Sequence, residues 1–286
     1  PILAAQVVHG MLSKNDSFEK ATSLALYDYL RKSKSKGFVL SLSGGADSAC
    51  CAVLVASMVK YGLATLGAKQ FLHNIGHPEL IDQLPDENPQ AFIIGKILTC
   101  VYQATDNSSD ITRNAAKSLA ESIGSTFHEW SIQEEVVSYS AKIEKAIDRN
   151  LSWEQDDLAL QNIQARARSP IIWMLANIQK SLLLTTSNRS EGDVGYTTMD
   201  GDTSGSIAPI AAVDKPFIRQ WLKWAQTSLS YHGLDQVNAQ APTAELRPSG
   251  DQTDEDDLMP YDILVAIERL AIGQYKSPAE VYEALH

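Results

Sequence analysis

The sequence predicts an α/β fold: a mostly parallel sheet with helices on both faces and a helical C-terminal extension. Three observations carry this. Short apolar runs bounded by turn residues recur along residues 37–186, helical patterns separate them, and that alternation implies βαβ units with covered sheet faces. The 286 residues, 44% hydrophobic and 21% charged, suffice for one large core, and residues 1–286 are read as a single domain without an internal repeat.

Each element has its own signal. Residues 17–33 read as a helix, with Phe18, Ala21, Leu24, Ala25, Tyr27, Tyr29 and Leu30 apolar. Residues 37–42 read as a short buried strand following Gly37. The run from Ser48 to Tyr61 is apolar nearly all round, so it reads as a helix buried against the sheet and ended by Gly62. Pro78, Pro85 and Pro89 break residues 63–95 into an irregular stretch. Residues 97–102 form a second strand; Ser109 or Asp110 caps a helix that Gly124 closes; residues 126–130 form a third strand. Residues 133–148 are helical, and 155–180 form a long helix with a kink or break at Pro170. Residues 181–186 form the fourth strand. Residues 192–206 and 242–257 read as long functional loops, with helices at 215–231, 261–272 and 278–285.

Bulk properties exclude several classes. A net charge of −11 disfavours nucleic acid as a partner. No uninterrupted apolar run reaches the roughly 18–20 residues of a bilayer span, so no membrane partner is expected. Cys50, Cys51 and Cys100 are odd in number and lack CxxC spacing, which predicts reduced thiols in a cytoplasmic protein. His73, His77, His128 and His232 show no metal spacing.

Ligands on such sheets bind beyond the carboxyl ends of the strands. Segments 43–48, 103–109 and 187–191 therefore converge. Ser43-Gly44-Gly45-Ala46-Asp47-Ser48 follows a strand directly and opens a helix. Glycines let backbone approach a ligand, and free N–H groups of a helix N-terminus attract an anion. Ser43 and Ser48 can add hydroxyl donors. Asp47 is out of place beside an anion unless it holds Mg²⁺. A plain N-cap turn would also explain two glycines, but not the whole string in this context. No lysine follows, so this is not a GxxxxGK[ST] loop.

SGGADS resembles the SGGxDS loop of the ATP pyrophosphatase superfamily, whose adenine nucleotide alpha hydrolase-like, Rossmann-like fold cleaves ATP between its α and β phosphates. Four further stretches resemble NAD synthetases in order: Asn162–Arg168 (NIQARAR), Leu184–Glu191 (LTTSNRSE), Tyr196–Pro209, and Pro242–Leu246 (PTAEL). The resemblance covers about residues 20–275. It implies amidation of deamido-NAD to NAD through an adenylate, with ATP as substrate, Mg²⁺ as cofactor and ammonia as nitrogen donor. Asp47 and Glu191 match the Mg²⁺ ligands, and with Lys215 they form the implied catalytic set. Ser41, Ser43, Gly44, Gly45, Ala46, Asp47, Ser48, Thr186, Lys215 and Thr243 match the ATP site; Arg166 and Asp202 match contacts to deamido-NAD. On sequence alone Lys215 would read as a solvated lysine before Pro216, and Arg168 points elsewhere on the helix than Arg166. Met199 stands where the ammonia-dependent branch carries a substrate-binding lysine. The family's homodimer implies an interface on residues 158–180. Only about 36 residues precede the first strand, so the glutaminase domain of the glutamine-dependent enzymes is expected to be absent, leaving free ammonia or a separate glutaminase as the source. Another SGGxDS enzyme, such as a GMP synthetase-like amidotransferase, and a non-catalytic nucleotide-binding module are the alternatives.

Overall fold

A computed structural model of the chain describes residues 12–240, 245–248 and 253–286. Four parallel strands, β1 (Phe38–Ser41), β2 (Leu98–Ala104), β3 (Thr126–Ser131) and β4 (Leu182–Leu184), form one sheet in the order β3-β2-β1-β4. Around it lie α1 (Lys14–Ser33), α2 (Ala46–Leu66), α3 (Ala68–Asn74), α4 (Pro89–Ile97), α5 (Asp110–Ile123), α6 (Gln133–Ile147), α7 (Trp153–Gln179), α8 (Arg189–Val194), α9 (Lys215–Ser228), α10 (Leu234–Asn238), α11 (Asp254–Asp257), α12 (Tyr261–Glu268) and α13 (Pro278–Leu285).

The strand period of two divides the core. Phe38 and Leu40 of β1 join the main cluster with α2, whereas Val39 and its register partner Leu183, together with Val101, join Ile172 and Ala176 of α7. Both faces are therefore covered, which is why these strands read as continuous apolar runs. The chain steps outward from β1 to β3 and then returns to place β4 on the other side of β1. That reversal opens a crevice at the carboxyl end of β1, where the glycine loop lies.

Several boundaries differ from the sequence reading. α2 does not stop at Gly62. It runs to Leu66 and is capped by Gly67 (φ +74°), whose N–H donates to the Leu63 carbonyl. Gly62 is instead a contact glycine, since a Cβ there would lie 2.2 Å from the Phe71 ring. α2 is long and apolar enough to cross a membrane by length and composition, contrary to the run-length count, yet Ser48–Val59 are all buried inside the protein. Residues 63–95 are largely helical, because Pro78 and Pro89 occupy first turns, where proline starts helices. Pro170 sits within continuous helix; the non-helical residue of α7 is Asp156, whose carboxylate takes bonds from Arg149 (2.6 and 2.7 Å) and the Ser152 N–H (3.0 Å). The C-terminal helices are not all an extension either: Phe217, Ile218, Trp221, Leu222 and Ala225 of α9, with Leu234 and Val237 of α10, belong to the main core.

Candidate active site

Gly44 holds φ +84° with its Cα against the Thr112 carbonyl; an added Cβ would lie 2.1 Å from that oxygen. The close approach sets the turn after β1. Gly45 then caps α2 without a side-chain bond, so the first-turn N–H groups carry no side-chain cap. Ser48 is buried, accepts from the Ser43 N–H (3.2 Å) and donates to the Gly45 carbonyl (3.2 Å), bracing the loop from within. Beyond the loop lies a cavity of about 190 Å³.

Lys215 enters this cavity from the first turn of α9, and it is not solvated. Its side chain is 5% exposed, and Nζ lies 2.6 Å from Asp47 Oδ2, 2.8 Å from Glu191 Oε1 and 3.6 Å from Asp254 Oδ2. Burial alone would lower its pKa, but Asp47, Glu191 and Asp254 together hold it well above the ordinary lysine value. Burial, then the nearby Asp47 charge, pushes Glu191 up to about 7. Burial likewise raises Asp254. Asn188 ties the two predicted carboxylates together. Its Nδ2 donates to Asp47 Oδ1 (3.1 Å), while its Oδ1 accepts the Glu191 N–H (3.0 Å) and so caps α8. Asp254 also accepts from the Tyr261 hydroxyl at 3.0 Å.

This donor set fits a divalent ion shared with phosphate. Among the described residues no group of three or more His, Cys, Asp or Glu could hold a metal by itself. Magnesium, however, is commonly held by one or two carboxylates plus substrate phosphates, and one lysine leaves these buried carboxylates with excess negative charge. Asp47 and Glu191 would be the protein ligands.

On the sheet's other face, α7 docks the loop after α8. Arg166 Nε donates to the Met199 carbonyl (2.9 Å), Ser169 Oγ to the Asp200 carbonyl (2.5 Å), and Trp173 Nε1 to Ser204 Oγ (2.7 Å). Thr185 and Ser187 donate to the Asp202 carbonyl, and the Thr198 N–H donates to its carboxylate.

The predicted residues Ser41, Ser43, Gly45, Ala46, Asp47, Thr186, Asp202 and Lys215 all line the cavity. Gly44, Ser48 and Glu191 support it from behind, and Arg166 is exposed outside it. Thr243 lies outside the described residues. Five residues to which the sequence reading gave no role also belong here. Arg168 faces the cavity with Nε on the Gln103 carbonyl (3.3 Å), and Arg219 and Lys223 line it from α9. Glu245 accepts from Ser109 (2.6 Å) and Thr112 (2.8 Å), closing the cavity over β2 and α5. Asp254 completes the lysine cage. The Lys215, Arg219, Lys223 spacing of four was visible in sequence as one helix stripe; Asp254, in an acidic run, offered no such signal.

A family model described as NAD synthase matches residues 19–286. The chain belongs to the NAD synthase family. A glutamine-dependent NAD(+) synthetase of Aquifex aeolicus (strain VF5) is 34% identical over 276 residues, covering 95% of this chain and 41% of that protein. One from Oryza sativa subsp. indica is 35% identical over 268 residues, 86% of this chain and 36% of that protein. The crystal structure of a glutamine-dependent NAD(+) synthetase from Cytophaga hutchinsonii is 54% identical, with a TM-score of 0.87 over 96% of this chain and 45% of that one. An NH3-dependent NAD synthetase from Campylobacter jejuni shares the fold, at 18% identity and a TM-score of 0.61. The chain spans less than half the length of the glutamine-dependent relatives.

Proposed function

We propose that this chain converts deamido-NAD to NAD, using ATP and ammonia and releasing AMP and pyrophosphate. The observation that carries the reading is the cage in which Lys215 joins Asp47 of the glycine loop to Glu191 beyond β4, at the edge of a cavity whose far wall is the Asp202 loop. In the first step the nicotinate carboxylate oxygen bonds to the α-phosphorus, and the bond from that phosphorus to the β-phosphate bridging oxygen breaks. In the second, ammonia attacks the acyl carbon, AMP leaves with the former carboxylate oxygen, and a proton is lost.

The residues serve this without a protein nucleophile. The first-turn N–H groups of α2 and Ser43 position the polyphosphate, and Lys215 offsets charge on the departing pyrophosphate. Bound Mg²⁺ would supply further charge neutralisation at the phosphates. Asp202 and Arg166, joined through the 198–204 loop, hold the dinucleotide against α7. Residues 1–286 act as one synthetase domain, and ammonia arrives free or from a glutaminase domain or subunit. The exposed Leu158, Met174 and Ile178 of α7 support a homodimer across this helix. The free, buried Cys50, Cys51 and Cys100 support a reducing, cytoplasmic setting.

The test is purified protein with ATP, Mg²⁺, deamido-NAD and ammonium, reading NAD, AMP and pyrophosphate, beside a sample given glutamine instead. Equal amounts of NAD and AMP with ammonium are expected. ATP binding without NAD formation would transfer the reading to another acceptor substrate.

A further inference from the structure

α9 presents cations at every fourth residue. Lys215, Arg219 and Lys223 fall on one stripe of the helix, spaced about 6 Å apart along its axis, and all three line the cavity. The opposite stripe, Phe217, Ile218, Trp221, Leu222 and Ala225, is buried in the core, so the helix cannot turn the cations away.

Lys215 is saturated by three carboxylates. Arg219 and Lys223 make no side-chain hydrogen bond or ion pair among the described residues. The other acids lining the cavity are engaged: Asp47 by Lys215 and Asn188, Asp202 by the Thr198 N–H, and Glu245 by Ser109 and Thr112. Like charges four apart weaken a helix. The chain carries 35 Asp and Glu against 24 Lys and Arg, yet among the described residues no acid pairs with this stripe beyond Lys215. Arg219 is half-buried and Lys223 exposed, so both can meet an anion in the cavity, and an extended one suits a stripe that continues for two helical turns past the lysine beside the glycine loop. A single phosphate on that loop would leave the stripe empty.

Building on the proposed function, we infer that Arg219 and Lys223 bind the β- and γ-phosphates of ATP and then hold the pyrophosphate as it leaves. Arg219 offers a planar fork suited to bidentate phosphate contact, and Lys223 a point charge at the outer end. As the bond between the α-phosphorus and the bridging oxygen breaks, charge builds on the pyrophosphate, and the fixed guanidinium meets it there.

The experiment is calorimetric binding of inorganic pyrophosphate and, separately, AMP, to wild type, Arg219→Ala, Arg219→Lys, Lys223→Ala and the Arg219→Ala/Lys223→Ala double variant. Loss of charge-assisted bonds should weaken pyrophosphate about tenfold or more for Arg219→Ala, with partial recovery in Arg219→Lys, while AMP affinity stays within about twofold. Pyrophosphate binding unchanged in the double variant, or AMP and pyrophosphate lost together in Lys223→Ala and Arg219→Lys, overturns the inference. Binding is scored without amidation. Failure to make NAD while pyrophosphate binding still depends on Arg219 would therefore defeat the substrate assignment and leave this subsite standing.

Discussion

Replacing Lys215 with methionine should show how the carboxylate cage is balanced. The side chain is 5% exposed, and the carboxylates of Asp47, Glu191 and Asp254 around it are only 17%, 14% and 6% exposed. Methionine fills similar space but leaves three acids facing one another without a cation. Breaking a buried pair in this way costs about 3–5 kcal/mol. The cost depends on pH with a definite sign. Glu191 is already raised to about 7 by burial and by Asp47. A carboxylate raised in the folded state contributes stability that is full below its unfolded pKa and is lost as pH rises through the folded value. In wild type that loss falls between roughly pH 4.5 and 7. Without Lys215 the window extends upward, each further unit being worth about 1.4 kcal/mol. The gap between variant and wild type should therefore widen between about pH 5.5 and 8. Urea unfolding at both values, with unchanged m, measures it. A loss under about 1 kcal/mol at the higher pH, or a gap that narrows as pH rises, would refute the reasoning.

Three other perturbations test separate links. Gly44→Ala sets a Cβ 2.1 Å from the Thr112 carbonyl at φ +84°; strain of about 1–3 kcal/mol and loss of ATP binding are expected, read by melting and by nucleotide titration. Gly62→Ala drives a methyl into the Phe71 ring at 2.2 Å, so stability should fall by about 1–3 kcal/mol while affinity for ATP stays at the wild-type value. Met174→Glu together with Ile178→Glu charges an exposed stripe of α7; light scattering should report a shift from dimer to monomer, and an unchanged mass would remove α7 from the interface.

β1, β2 and β4 were legible because each is buried and so reads as an apolar run, whereas β3 at the sheet edge leaves His128, Glu129 and Ser131 exposed. The glycine loop was legible because Gly44, at φ +84° and against the Thr112 carbonyl, answers a geometric demand that no other residue meets as well. Lys215 was not legible from local sequence. A lysine before a proline has the pattern of a solvated helix start, and what buries it comes from Asp47, Glu191 and Asp254, up to 168 residues away. The bonds of Ser48 within its own loop were not legible either: its hydroxyl accepts from the Ser43 N–H and donates to the Gly45 carbonyl. Gly62 and Pro170 show the limit of punctuation rules: a glycine can mark a side-chain contact, and a proline can remain inside a continuous helix.

The site leaves two charge imbalances of opposite sign. Three carboxylates surround one lysine, and along the same helix Arg219 and Lys223 have no side-chain partner among the described residues. They do not cancel, because the packed face of α9 fixes the stripe while Asn188 and Tyr261 hold the acids in place. Lys215 bonds Asp47 directly, but Arg219 begins a full turn further on. The buried excess of carboxylates costs the unliganded protein stability, so a sequence shaped for stability alone would place a neutral residue at 254. A single ligand can answer both only if it carries both signs, as a polyphosphate with its divalent cation does: on the proposed reading Asp47 and Glu191 would hold the cation, and Arg219 and Lys223 the phosphates. Closing the stripe with an internal acid would stabilise the empty cavity and weaken its hold on the ligand by the same means.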